Sequence, residues 1–227
     1  MSESGEASVA GWRRWLLIGG VVLGIAALAF AIGRFSTFGA TSSVVTPTTG
    51  SADAGFARDM QVHHAQAIDM AMEIYRKTDD DELRILAYDI ATGQAAQKGE
   101  MYDWLVKWGL SQSGGPLMSW MTASGGAHDH ADASAGGTPT AEELRVAMGM
   151  ASDQELRELA DASGRPADCL FLDLMIRHHE GAIPMADAML DLGSDPRALA
   201  VADSMKKGQT AEIDAMRSIQ QRLTCTE

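Results

Sequence analysis

The 227-residue chain is 46% apolar, enough to bury a core in one domain with an appendage, which excludes disorder throughout. Beyond residue 34 it carries 15 Lys and Arg against 29 Asp and Glu, a net charge of −14 that repels phosphate backbones and argues against a nucleic-acid partner. Such a surface suits cations, and two residue types stand out: 14 Met, and six His confined to three tight pairs, His63 with His64, His128 with His130 and His178 with His179.

From Trp15 to Ile32 the chain reads WLLIGGVVLGIAALAFAI, 18 residues without a charge, with Arg13 and Arg14 before it and Arg34 after it. A span of the bilayer core needs roughly 17 to 25 apolar residues, so residues 15–32 read as a single transmembrane signal anchor. Two Arg before the run and one after it place residues 1–14 in the cytoplasm and everything after Arg34 outside, as a single-pass protein of the cell membrane. The alternative is a signal peptide cleaved at Ala27-Leu28-Ala29 or Ala29-Phe30-Ala31, which delivers a secreted protein to the same compartment. Residues 33–51, rich in Ser, Thr and Gly and without helical periodicity, read as a tether.

The bundle domain is expected over residues 52–227. Phe56, Met60, His63, Ala67, Met70 and Ile74 recur at helical spacing until Thr78-Asp79-Asp80 breaks the run. A second helix follows from about Asp80 to Trp108 and stops at Gly109. Residues 111–139, dominated by Ser, Gly and Ala, read as a flexible insertion with little secondary structure; within it His128-Asp129-His130, with Met118 and Met121 upstream, could capture a cation loosely and pass it inward. Thr140 with Glu143 and Ser152 with Glu155 are capping-box pairs for two short helices. A long helix is expected from about Pro166 or Asp168 to Leu192, interrupted by a kink or freed carbonyl near Pro184. After Gly193, Asp195 as N-cap and Pro196 at the first helical position open a last helix to about Leu223. No run reads as a strand, so the chain is predicted all-α: four long helices in two antiparallel hairpins, packed as a four-helix bundle.

Cys169 opens the third long helix and Cys225 follows the end of the fourth. In an antiparallel hairpin those ends lie side by side, and outside the cytoplasm disulfides persist, so the two are expected to be bonded.

An internal repeat runs through the domain at an offset of 115. Phe56 matches Phe171, Met60 matches Met175, His63-His64 match His178-His179, Ala67-Ile68 match Ala182-Ile183 and Met70-Ala71 match Met185-Ala186. The register holds into the partner helices, where Gly93-Gln94 match Gly208-Gln209, Gln97 falls on Glu212 and Met101 matches Met216. A pseudo-two-fold bundle follows, with the first long helix facing the third.

Successive helical residues stand about 100° apart, so His63 and His64 point different ways, but Met60 lies three and four residues before them and shares a face with either. Met175 stands in the same relation to His178 and His179. Each hairpin thus offers a thioether beside an imidazole, the repeat is expected to bring the two pairs together across the axis, and Met101 and Met216 could add sulfurs. Thioether with imidazole is a soft donor set that favours Cu(I) over Mg, Ca or Mn. The competing reading makes Met core filler and the His pairs buried hydrogen-bonding groups, with Gln94, Gln209 or Glu212 as partners, in a bundle whose acidic surface docks a protein. Non-covalent haem held by His and Met is a weaker alternative.

A carboxylate-bridged di-iron centre would need acidic residues where Met60, Gln61, Met175 and Ile176 stand, which disfavours ferroxidase chemistry. No Ser-based nucleophile motif, phosphate loop or dinucleotide fingerprint is found, so nothing supports an enzyme.

The segment GMASDQELRELADASGRPADCLFLDLMIRHHEGAIPMADAML, Gly149 to Leu190, together with MQVHHAQAIDMA, Met60 to Ala71, resembles exported bacterial proteins of domain of unknown function 305. The doubled HH-x-x-A-I-x-M-A motif carries the resemblance, which covers about residues 52 to 223. It implies a ferritin-like four-helix bundle, and some members are associated with binding copper or silver and with copper tolerance outside the cytoplasm. By position it implies Met60, His63, His64, Met70, Met175, His178, His179 and Met185 as ligands, with Met101 and Met216 as outer candidates. The expected function is extracytoplasmic copper buffering, tolerance or delivery, with a protein partner in copper handling.

Overall fold

The computed structural model describes residues 46–122 and 139–225. Residues 1–14, read as cytoplasmic, the proposed anchor at 15–32, most of the segment read as a tether, and His128 and His130 lie outside the described residues. Among the described residues there are seven helices and no strands, and no helix is long and apolar enough to cross a membrane. They are α1 (Ala52–Lys77), α2 (Asp81–Lys107), α3 (Ser119–Thr122), α4 (Ala141–Ala147), α5 (Asp153–Asp161), α6 (Gly164–Leu192) and α7 (Pro196–Leu223).

The helix boundaries follow local chemistry. Ser51 accepts from the Ala54 N–H, Asp80 from Leu83, and Asp195 from Arg197 and Ala198, each satisfying donors that the first turn leaves free. Both expected capping boxes form, Thr140 with Glu143 and Ser152 with Glu155. α5 ends at Asp161, and Gly164 opens α6. α6 runs unbroken through the exposed Pro184 to Leu192, and Pro184, lacking an N–H, leaves the Glu180 carbonyl without its helical donor. The tether is pinned earlier than expected: Arg58 donates to the Thr49 carbonyl and hydroxyl.

α1 packs on α2, α6 on α7, and α1 faces α6 across the bundle. Cys169 and Cys225 are bonded, joining the start of α6 to the end of α7 over a separation of 56 residues. Closing a loop of that length removes about 4 kcal/mol of entropy from the unfolded chain in the entropic model.

Two apolar clusters make the core, and the offset of 115 exchanges them. Phe56, Met60, Met101, Met189, Ala198, Ala202 and Met205 lie in one; their counterparts Phe171, Met175, Met216, Ile74, Leu83, Ala87 and Ile90 lie in the other. The symmetry extends to buried carboxylates. Asp53 accepts from the Ser194 N–H and hydroxyl and from the Asp195 N–H, pinning the turn into α7. Asp168, its counterpart, bonds Thr78 at the turn between α1 and α2, and burial raises its carboxyl above the usual range. Asp53→Ala would orphan these donors and is expected to lower the free energy of unfolding by about 2 kcal/mol, read from the urea midpoint at constant m-value.

The first part of the stretch read as a flexible insertion is packed. Residues 111–122 return over the N-terminal half of α1: Trp120 is buried edge-on against Phe56 and donates to Asp59, Met121 is buried with it, and the Met118 N–H also reaches Asp59. Two large apolar side chains outweigh the surrounding Ser and Gly, because the area they bury exceeds the entropy of ordering a short segment.

Candidate metal centre

His63, His64, His178 and His179 are all completely buried, where α1 and α6 cross. The rings of His63 and His178 stack across the pseudo-axis with centroids 3.7 Å apart. His64 and His179 point outward along their own hairpins, toward α2 and α7. The nitrogen Nε2 of His64 bonds Gln97 Oε1 at 2.8 Å, and that of His179 donates to Glu212 Oε2 at 2.7 Å, so the two contacts repeat at the same 33-residue spacing. The amide of the first hairpin is replaced by a carboxylate in the second.

The central pair breaks the symmetry further. His178 Nε2 donates to the His63 carbonyl at 3.2 Å, while His63 Nε2 donates to the Met148 carbonyl at 3.0 Å. Met148 arrives on the connection between α4 and α5, which lies across the α1–α6 crossing. Gln66 of α1 clamps this connection by bonding both the N–H and the carbonyl of Ala151. Its counterpart on α6 is Gly181, which packs backbone to backbone against Met148 and Gly149. A Cβ at Gly181 would stand under 3.0 Å from the Met148 carbonyl, and Gly149 itself has φ +75°. Gly181 therefore exists to admit this strand of chain, and no feature of the repeat predicts it, since the strand belongs to neither hairpin.

Burial pushes His63 down to about 3 and His64 to about 4 from an ordinary 6.5, and holds His178 well below it, with neighbouring imidazoles adding to the effect for each. These rings are neutral at pH 7. Carbonyl and carboxylate partners only accept, so the proton of His63, His178 and His179 sits on Nε2, and the placement of Gln97 puts that of His64 there too. Nδ1 is then a bare lone pair on His63, His64 and His178. All four Nδ1 atoms are buried without a partner. An orphaned buried polar atom is costly, and four related by one symmetry fit a metal-ligating role, with Gln97, Glu212 and two backbone carbonyls fixing the tautomer from behind.

The sulfurs are arranged differently from expectation. Met60 and Met175 do not meet: Met60, Met101 and Met185 lie in one cluster, Met175, Met216 and Met70 in the other. The reason is the antiparallel crossing. Residues before the His pair of one helix pack beside residues after the His pair of the other, so Met60 joins Met185 and Met70 joins Met175. The His layer thus lies between two apolar clusters that hold repeat-equivalent methionines, and among the described residues no three His, Cys, Asp or Glu converge on one point. Imidazole and thioether together, not imidazole alone, form the available donor set. Of the three partners expected for the His pairs in the competing reading, Glu212 bonds His179, whereas Gln94 and Gln209 are buried with unpartnered amide atoms.

Residues 53–220 match the family described as Domain of unknown function (DUF305). The chain belongs to the DUF305 family. A DUF305 protein of Streptomyces coelicolor, described as secreted, is 35% identical over 78% of this chain and 95% of its own, with a TM-score of 0.66. A DUF305 fragment from Deinococcus radiodurans is 30% identical over 75% of this chain and 96% of its own, with a TM-score of 0.60. CopM in its Cu(I)-bound form is 27% identical over 75% of this chain and 96% of its own, with a TM-score of 0.54. No curated protein matches the chain.

Proposed function

We propose that this DUF305 protein handles copper outside the cytoplasm, taking up Cu(I) as cargo between its His layer and the flanking methionines for buffering, tolerance or delivery. The observation that carries this reading is the set of four buried Nδ1 atoms without a hydrogen-bond partner, lying between two apolar clusters that hold repeat-equivalent methionines. Imidazole nitrogen with thioether sulfur is the donor chemistry that selects a soft monovalent ion. His63, His64, His178 and His179 would be the nitrogen donors, with Met60, Met101 and Met185 on one side and Met70, Met175 and Met216 on the other. Similarity to CopM, a protein solved with Cu(I), supports the choice of metal, and similarity to a secreted relative supports the compartment. The apolar run at 15–32 would tether the bundle to the membrane through the segment at 33–51.

Anaerobic titration of the full chain with Cu(I) against a chromogenic chelator tests this. Stoichiometric uptake is expected, and it should vanish when His63, His64, His178 and His179 are all changed to Gln, which keeps a donor for each Nε2 partner while removing the Nδ1 acceptor. No uptake at micromolar Cu(I) would sink the proposal.

The Nε2 hydrogen bonds favour a second reading, in which the His pairs serve only to join helices. It predicts that the same variant melts lower and that Cu(I) leaves the melting temperature of the wild type unchanged. The haem alternative draws no observation of its own from this arrangement.

A further inference from the structure

A narrow crevice, closed to water, lies between α1, α6 and α7. Its rim is the half-buried Ile183 and Lys206, with Lys206 reaching across to Asp187 on α6 at 2.5 Å. Its floor is Met60, Met205, Ala182 and Gln209, all 5% exposed or less. Gln209 Oε1 is buried there without a hydrogen-bond partner. Met60, on its floor, stands one turn before the His pair on α1.

The repeat supplies an internal comparison. At the equivalent place on the other side stand Met175, Ala67, Ile68 and Gln94, with the same roles as Met60, Ala182, Ile183 and Gln209. Two positions differ: Ile90 replaces Met205, and Ala91 replaces Lys206. One side therefore carries a thioether between the rim and the inner methionine, and the other carries an aliphatic side chain of similar size. An ion that prefers sulfur can be passed from Met205 to Met60 without losing its soft ligand, whereas on the other side it would have to cross an all-carbon layer. Methionine, with three rotatable bonds, can swing to make that transfer in a space too narrow for bulk water.

We propose that a soft monovalent ion reaches the His layer from one side only, through the α1–α6–α7 crevice, with Met205 as the first buried ligand and Met60 as the second. This rests on the copper-handling reading above and adds to it a direction and a residue outside the repeat's shared ligand set.

The test is the rate at which the full chain withdraws Cu(I) from a chromogenic chelator under anaerobic conditions, followed by stopped flow. Met205→Ile installs the residue found at the equivalent position, nearly conserves volume and so preserves the fold. It is expected to slow uptake about tenfold while leaving the amount finally bound by the His layer unchanged. Met189→Ile is the control, a like change in the same cluster at a position whose counterpart is Ile74, and it should load at the wild-type rate. Uptake by Met205→Ile at the wild-type rate overturns the one-sided route while leaving copper handling intact, as does equal slowing by Met189→Ile. No uptake by the wild type overturns both.

Discussion

Acidification from pH 7 to pH 4 is expected to unfold this protein, with most of the loss of stability falling between pH 6.5 and 4. His63 and His64 titrate at about 3 and about 4 in the folded chain against 6.5 when exposed, and His178 is lowered in the same sense. The unfolded chain therefore binds more protons than the folded one throughout that window, so stability falls as pH falls. Above 6.5 neither state is protonated at these rings and stability is flat with respect to them. At pH 4 the first two alone remove of order 5 kcal/mol, comparable to the whole margin of a typical domain, roughly 5–15 kcal/mol.

Other groups act elsewhere. Asp80 and Glu155 are each held at about 2, chiefly by hydrogen bonds from Arg222 and Arg177, so their loss comes mainly below pH 4. Burial raises Asp59 and Asp168, which oppose the trend weakly. An acid titration followed by far-ultraviolet circular dichroism reads the effect. In the variant with all four His changed to Gln, the steep region above pH 4 should disappear; its persistence would show that other groups drive the transition.

The second large effect is Gly181→Ala, expected to destabilise by about 3 kcal/mol. Its sign is the diagnostic feature. In a helix interior Gly→Ala ordinarily stabilises by about 0.5–1 kcal/mol, through reduced freedom of the unfolded chain. At Gly181 the added methyl would stand on the Met148 carbonyl and force the α4–α5 connection off α6. That carbonyl is the acceptor for His63, so its displacement leaves a buried Nε2–H unpaired as well. Gly93→Ala is the matched control: a Cβ there meets nothing within 4 Å, and a gain of about 0.5–1 kcal/mol is expected. Urea unfolding of both variants decides the matter. A gain at Gly181 equal to that at Gly93 would mean that the connection is not held in this close contact.

Much of the centre could be read before any coordinates. The 115-residue offset placed His63-His64 opposite His178-His179, and the structure brings them within a ring stack of each other, because equivalent positions on facing antiparallel helices must meet at the pseudo-axis. The same offset misled for the methionines. Met60 and Met175 are equivalent, but equivalence under a two-fold puts residues off the axis on opposite sides of it, and only residues on the axis touch their own counterparts. Glu212 stood among the expected His partners, but Gln97, aligned with it by the repeat, did not; their common spacing of 33 residues from His179 and His64 was the available signal.

The sequence by itself determined the helices. Their starts at Ser51, Asp80, Thr140, Ser152 and Asp195 are local events, each a side chain satisfying N–H groups within three residues, and their apolar stripes fix which faces turn inward. The disulfide followed from the same local facts, because hairpin ends are neighbours whatever the bundle does. The tertiary structure alone decided the passage of residues 148–151 across the crossing, the packing of Trp120 onto Phe56, and the partner of each imidazole. Those depend on backbone carbonyls and on chain segments far apart in sequence, and a carbonyl leaves no mark in the identity of its own residue; only the glycine that makes room for it, at 181, does.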